Sequence, residues 1–432
     1  MAKTYDTYKD SGIAWIGKIP SEWKVVRQKN VFALGKELVA EDWNTTQLLS
    51  LTTKGIKCVN IGTTTGKVPD SYNTYQIVKP NNLVMCLFDL DCSAVFSGLS
   101  NSTGMISPAY KVLSVNDGSD PKYYSYWFNY IFDGRKFMFL SKSIRYSLTY
   151  DEFSALGIAS PSLIEQKSIA TFLDKKCSEI NSLISLQEEM ISEFQAYKQS
   201  VITEAVTKGL DPKVKMKDSG VEWIGEIPEG WNTQKLRTLG WTQNGISQSG
   251  DYFAEGFPYP FVSYPDVYKN YSVPYPVGRA NSTEEDRKRF SLIEGDVLFT
   301  RTSETIEEIG FASTCLDTIP DAVYSGFLIR FRPSTDKLYK GYSQYYFRSQ
   351  IHRAYFVKEM NLVTRASLNQ DLLKNLVVLL PSIDEQKYIA NYLNTKSQQI
   401  DTLIAIKQEK IQELKDYKKS VIYEYVTGKK KV

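Results

Sequence analysis

Two blocks of this chain occur twice, in the same order. Asp10-Ser11-Gly12, Trp15-Ile16-Gly17, Ile19-Pro20 and Trp23 return 208 positions later as Asp218-Ser219-Gly220, Trp223-Ile224-Gly225, Ile227-Pro228 and Trp231. Pro161-Ser162 through Glu165-Gln166-Lys167 to Val206-Thr207 returns 220 positions later as Pro381-Ser382 through Glu385-Gln386-Lys387 to Val426-Thr427. Between them lie two stretches, about Pro20 to Pro161 and about Pro228 to Pro381, that resemble each other only faintly. Two like frames around two unlike modules suggest one ligand read at two places.

The second block dictates long helices. Glu165 stands in a first turn, where the helix dipole favours an acid. Ile169, Leu173, Lys176, Ile180, Leu183, Gln187, Met190, Phe194, Tyr197 and Val201 then follow in steps of four and three, with no proline or glycine before Gly209. Ile389, Leu393, Lys396, Ile400, Leu403, Lys407, Lys410, Leu414, Tyr417 and Val421 repeat that rhythm. Such a repeat marks helices packed along a seam, each about 40–45 residues long. A helix of that length has no core of its own, so its copy is the expected partner and a separate protein could cover what remains. Polar seam positions such as Lys176, Gln187, Lys396 and Lys407 weaken the core but fix register. The matched lengths favour an antiparallel pair, one module at each end and a pseudo-twofold between them, a symmetry shared by the strands of duplex DNA.

The modules read as diverged copies of one α/β (α+β) unit. Asn82–Phe88 and Gly295–Thr300 look like strands, as do Ala109–Leu113 and Phe327–Phe331. Each second strand is followed by an aromatic helical stretch, Tyr123–Phe128 or Tyr342–Phe347. Near the module ends the copies converge again: Arg145-Tyr146-Ser147-Leu148 precedes Asp151, and Arg365-Ala366-Ser367-Leu368 precedes Asp371. An arginine beside a serine just before a strand can hold a phosphate or a base edge; it can equally pair with the nearby aspartate. Arg301-Thr302-Ser303-Glu304 follows a strand as a polar loop, whereas its counterpart, Phe88-Asp89-Leu90-Asp91-Cys92-Ser93, has a different polarity. If these loops read sequence, they read different sequences. The candidate contacts are therefore Arg145, Ser147, Arg301, Thr302, Ser303, Arg365 and Ser367.

Catalytic constellations are missing from the pattern. The single histidine, His352, excludes a His-pair metal site and is expected at the surface of a helix. Gly62-Thr63-Thr64-Thr65-Gly66-Lys67 has three residues between its glycines where a phosphate loop needs four, and Val68 replaces the magnesium-binding hydroxyl. Neither an amino-methyltransferase Asn-Pro-Pro-Tyr segment nor a nuclease acidic-x-lysine partner accompanies these. The five cysteines, Cys58, Cys86, Cys92, Cys177 and Cys315, are scattered and odd in number, which fits reduced thiols in a cytoplasm. Met1–Asp6 lacks the apolar segment of a secretory signal and no apolar run reaches membrane length, so neither a leader nor a membrane span is expected. The formal charge of +3 neither demands nor excludes nucleic acid. The 29 tyrosines suit β-rich packing, with some free to form a recognition surface.

Taken together, D-S-G-x-x-W-I-G-x-I-P-x-x-W from Asp10 and Asp218, P-S-x-x-E-Q-K from Pro161 and Pro381, and a long helix after each resemble the specificity subunit of Type I restriction–modification systems. Arg301-Thr302-Ser303-Glu304 and Leu87-Phe88-Asp89 also look like stretches of that family's target-recognition domains. The resemblance implies target-recognition domains over residues 1–160 and 210–380, with spacer helices over 161–209 and 381–432 forming an antiparallel coiled coil. It implies a non-catalytic chain that reads a bipartite, asymmetric double-stranded DNA target and sets the unread gap. The expected partners are two methyltransferase subunits, which bind S-adenosylmethionine, and two restriction/motor subunits, which use ATP and Mg2+; no cofactor or metal is expected on this chain. A single-chain restriction enzyme would need catalytic motifs that are missing here, whereas a helical scaffold for other proteins would not co-purify with a methyltransferase.

Overall fold

The structure, a computed structural model, describes residues 3–60, 71–116, 118–133, 135–141, 145–247, 256–303, 309–359 and 366–432. The chain divides into two compact units, residues 1–188 with 409–432, and residues 189–408. Both long helices form as the heptads require: α1 spans Leu163–Lys208, 46 residues, and α2 spans Ile383–Val426, 44 residues. Each therefore begins in one unit and ends in the other.

In the first unit, a four-stranded antiparallel sheet has the order Phe32–Leu34, Lys111–Val115, Leu83–Met85, Ser97–Leu99. In the second, Gly240–Asn244, Leu328–Pro333, Val297–Thr300, Ala312–Thr314 follow the same order, again antiparallel. The strands expected around residues 82–88, 109–113, 295–300 and 327–331 are the inner strands of these sheets. The aromatic stretches are helical, within Pro121–Asp133 and Lys340–Tyr346, and bury Tyr123, Tyr124, Trp127 and Phe128, or Tyr342 and Tyr346, in the core of each unit. Burying such rings contributes the largest apolar areas available to each core. The modules diverge in their other sheet. Among the described residues that sheet has four strands in the first unit, Gly55–Val59, Leu48–Thr52, Gly104–Ile106 and Gln76–Val78, and three in the second, Gly278–Ala280, Tyr259–Val262 and Val323–Tyr324.

Within each unit the two helix segments run antiparallel. In the first unit the Phe172 ring packs on Tyr425 at a tilt, centroids 4.4 Å apart, and further along α1 Asn181 accepts from Lys418, an earlier residue of α2, at 2.9 Å. In the second, Lys198 meets both carboxylate oxygens of Asp401 at 2.7–2.8 Å. The seam is filled unevenly. Ile169, Leu173 and Ile180 are buried, as are Ile389, Leu393 and Ile400, but Leu183, Tyr197, Leu403 and Tyr417 remain about half exposed. The heptad pattern thus marks an apolar face, and several of its residues stay about half exposed.

His352 is not at the surface. It is buried, with Nε2 3.0 Å from the Tyr346 carbonyl oxygen and its ring against those of Tyr346 and Phe347. Its short helix turns that face inward, onto the aromatic core.

Candidate functional site

The repeated motifs build a holder for the helices. Asp10 and Asp218 accept from the backbone N–H of Gly12 and Gly220 at 2.8 and 2.9 Å, turning hairpins in which Tyr8 faces Pro20 and Met216 faces Pro228. The hairpins lead to Trp23 and Trp231, whose Nε1–H groups donate to Glu165 at 3.1 Å and to Glu385 at 3.0 Å. A fully buried indole needs such an acceptor, and a carboxylate in the first helical turn supplies it. Gln166 and Gln386, also buried, accept from the backbone N–H of Asp120 and Tyr339, both at 2.8 Å, and donate to the carbonyls of Pro161 and Pro381 at 3.0 Å. The motifs therefore hold the start of each long helix on its own module.

The end of the other helix docks beside them. Tyr123 donates to the carbonyl of Val426 at 3.0 Å, and Tyr342 to that of Val206 at 3.2 Å, satisfying acceptors that a helix C-terminus leaves open. Gly209 and Gly428, just past the helices, take left-handed conformations at φ +74° and +68°. A side chain at Gly428 would collide with Pro20, and one at Gly209 would press on Glu385 and Trp231. These contacts explain why tryptophan, glutamate, glutamine and glycine recur together. Spacing shows that they repeat; only the fold shows that they meet.

In each module the candidate contacts come together in pairs of segments. Leu148 N–H donates to the Leu87 carbonyl at 2.7 Å, and Leu368 N–H to the Arg301 carbonyl at 2.7 Å. In the first unit this sets Arg145, Tyr146 and Ser147 beside Phe88 and Asp89. Ser147 Oγ accepts from Asp89 N–H at 2.9 Å, and exposed Arg145 reaches Asp89 Oδ2 at 3.3 Å. In the second unit Thr302 pairs with Ser367, and Ser303 with Ala366, in a two-residue ladder. Arg301 and Thr302 are half-buried and Ser367 is exposed. Arg365 lies outside the described residues, as does the segment from Gly62 to Val68.

Two sequence readings need correction. The Arg–Ser segments precede helices, Tyr150–Ala155 and Gln370–Asn375, not strands. Thr149 and Asn369 cap them, Thr149 in a reciprocal box with Glu152, whose carboxylate is held below its ordinary range first by the Thr149 backbone N–H. Arg145 pairs with Asp89 rather than with Asp151, because the loop after Met85 folds back over the segment. Asp89 and Tyr146 both occupy left-handed backbone, at φ +47° and +51°, so this tip is a tightly specified turn.

The tips gather guanidinium, hydroxyl and backbone groups, with an aromatic ring in the adjoining chain. No group of three or more metal-ligating side chains gathers among the described residues, and no helix among them is long and apolar enough to cross a membrane.

Comparison with known proteins matches this architecture. The family described as Type I restriction modification DNA specificity domain matches residues 20–190 and 228–416, most of the chain. The Type I restriction enzyme MjaVIII specificity subunit of Methanocaldococcus jannaschii is 27% identical over 299 residues, 65% of this chain and 63% of that protein. The Type I restriction enzyme EcoKI specificity subunit of Escherichia coli is 26% identical over 268 residues, 59% of this chain and 54% of that protein. The matched part of the chain thus spans about half to just under two thirds of these relatives' length. A chain solved in work on complex assembly and conformational transition of the type I R-M system shares the fold, with a TM-score of 0.69 at 16% identity over 94% of this chain and 98% of that one. Two matched segments, each carrying one module and the first part of its long helix, place this chain in the Type I restriction–modification DNA specificity domain family.

Proposed function

We propose that this chain is the DNA-reading subunit of a Type I restriction–modification complex, with each module reading one half of a bipartite, asymmetric double-stranded target. One observation carries the reading. The same backbone bond, Leu148 to Leu87 and Leu368 to Arg301, presents different side chains at the two tips: Arg145, Ser147 and Asp89 in one, Arg301, Thr302 and Ser367 in the other. A constant cradle holding variable polar groups suits two different stretches of base edges. The long helices link the two readers and set the unread gap. Their half-exposed apolar residues, Leu183, Leu186, Tyr197, Leu403, Ile406 and Tyr417, offer surface to methyltransferase subunits. Those subunits bring S-adenosylmethionine, and the restriction/motor subunits ATP and Mg2+. The chain itself works without catalysis, in the cytoplasm.

Arg301 is the most direct test. A guanidinium bidentate to guanine supports about 1–3 kcal/mol of discrimination, so Arg301→Ala in the assembled complex is expected to weaken binding about 5- to 150-fold for one half-site only. Binding titrations against duplexes altered in each half-site measure this. Equal weakening for every sequence would make Arg301 a phosphate contact instead.

A further inference from the structure

We infer that Phe327 is a specificity-determining residue of the second module, reading the 5-methyl group of a thymine; this rests on the DNA-reading function proposed above. Phe327 is 62% exposed, yet its backbone is fixed from several sides. Its carbonyl accepts from Arg301 N–H at 2.9 Å, its own N–H donates to Ser325 Oγ at 3.3 Å, and Leu328 N–H closes the turn on the Ser325 carbonyl at 3.0 Å. Next to it, Gly326 N–H donates to the Ile246 carbonyl at 2.7 Å, and a Cβ at Gly326 would stand 2.6 Å from Ser247 Oγ. The turn therefore lies tight against the neighbouring Ile246–Ser247 segment, and the ring projects from a rigid base.

A lone exposed phenylalanine is ordinary on a protein surface. This one adjoins the candidate reading segment through a direct backbone bond to Arg301, beside the Thr302–Ser367 ladder. Major-groove base edges are donors and acceptors with one apolar feature, the thymine methyl, which phenylalanine side chains contact. Hydroxyls and a guanidinium flanking a ring can therefore read polar edges and a methyl side by side. The first module presents Phe88 at its tip, but from the other segment and packed on Tyr110 at 5.8 Å, so the two tips offer their apolar groups differently.

Replacing thymine by deoxyuridine removes only the methyl group. The assembled wild-type complex first defines its target by methylation mapping and its second-module half-site by the Arg301→Ala effect. Deoxyuridine is then placed at each thymine of that half-site, on either strand. One position is expected to weaken binding about fourfold, the cost of one methyl contact. Phe327→Ala should abolish that dependence while leaving the other positions unchanged, and Phe327→Leu, which keeps an apolar side chain, should retain it. The inference is overturned if the variant and wild-type profiles agree, if no thymine responds, or if the half-site holds none. If the wild-type complex shows no bipartite target, the underlying reading fails instead.

Discussion

Trp231→Ala is expected to destabilise the second unit by about 3–5 kcal/mol, the usual cost of emptying a buried tryptophan site. Trp231 is 1% exposed and packs with Val206, Ile227 and Ile389 in one core. Its removal leaves Glu385 without the indole donor, and Gly209 without the ring that covers it. Three elements lose their common contact: the hairpin, the start of α2 and the end of α1. Glu385→Gln keeps an acceptor for the indole but removes its charge, so a smaller loss of about 1.5–3 kcal/mol at most is expected. Urea denaturation with limited proteolysis, to assign the transition to its unit, measures both variants. A loss below about 1 kcal/mol for Trp231→Ala would show that the motif is not the mechanical centre of the holder.

Asp296→Ala should be as costly, for an electrostatic reason. Asp296 is fully buried and receives Arg332 through two bonds, Nε to Oδ1 at 2.8 Å and Nη2 to Oδ2 at 2.6 Å. Arg330, equally buried, lies beside them, donating to Gln243 and to the Ser291 carbonyl, and burial lowers its pKa. Without the aspartate, two guanidiniums share this interior with no carboxylate between them. Removing one partner of a buried pair typically costs about 3–5 kcal/mol, because the remaining charge is left uncompensated. An Asp296→Ala, Arg332→Met double variant should recover part of the loss; equal stability of the single and double variants would contradict the pairing.

The frame of this fold was legible because its determinants are periodic or repeated. Heptads reveal α1 and α2, and the doubled motifs reveal two modules. The same heptads did not show that Leu183 and Leu403 stay exposed, since periodicity identifies an apolar face and not what covers it. His352 was misplaced for a related reason: its short helix has little periodicity, and aromatic neighbours distant in sequence bury it. The second sheets were invisible because strands of three residues, such as Gln76–Val78 or Gly278–Ala280, carry no readable alternation. Arg145 and Ser147 were singled out as candidates by their return in both copies. Their pairing with Asp89 depends on a loop closing over 58 residues of chain, between Asp89 and Ser147, and no local pattern encodes that. Phe327 was read as a strand residue; it ends up exposed because the turn at Gly326 starts the strand one residue later, at Leu328.

The central claim is that two unlike tips on like frames read one asymmetric target. Methylation mapping of DNA from cells carrying this chain with its methyltransferase partner, against cells lacking this chain, tests it most directly. The account predicts a methylated bipartite site whose two halves differ and are separated by a fixed run of unread bases. A palindromic site, or an unchanged methylation pattern when the chain is removed, would contradict it.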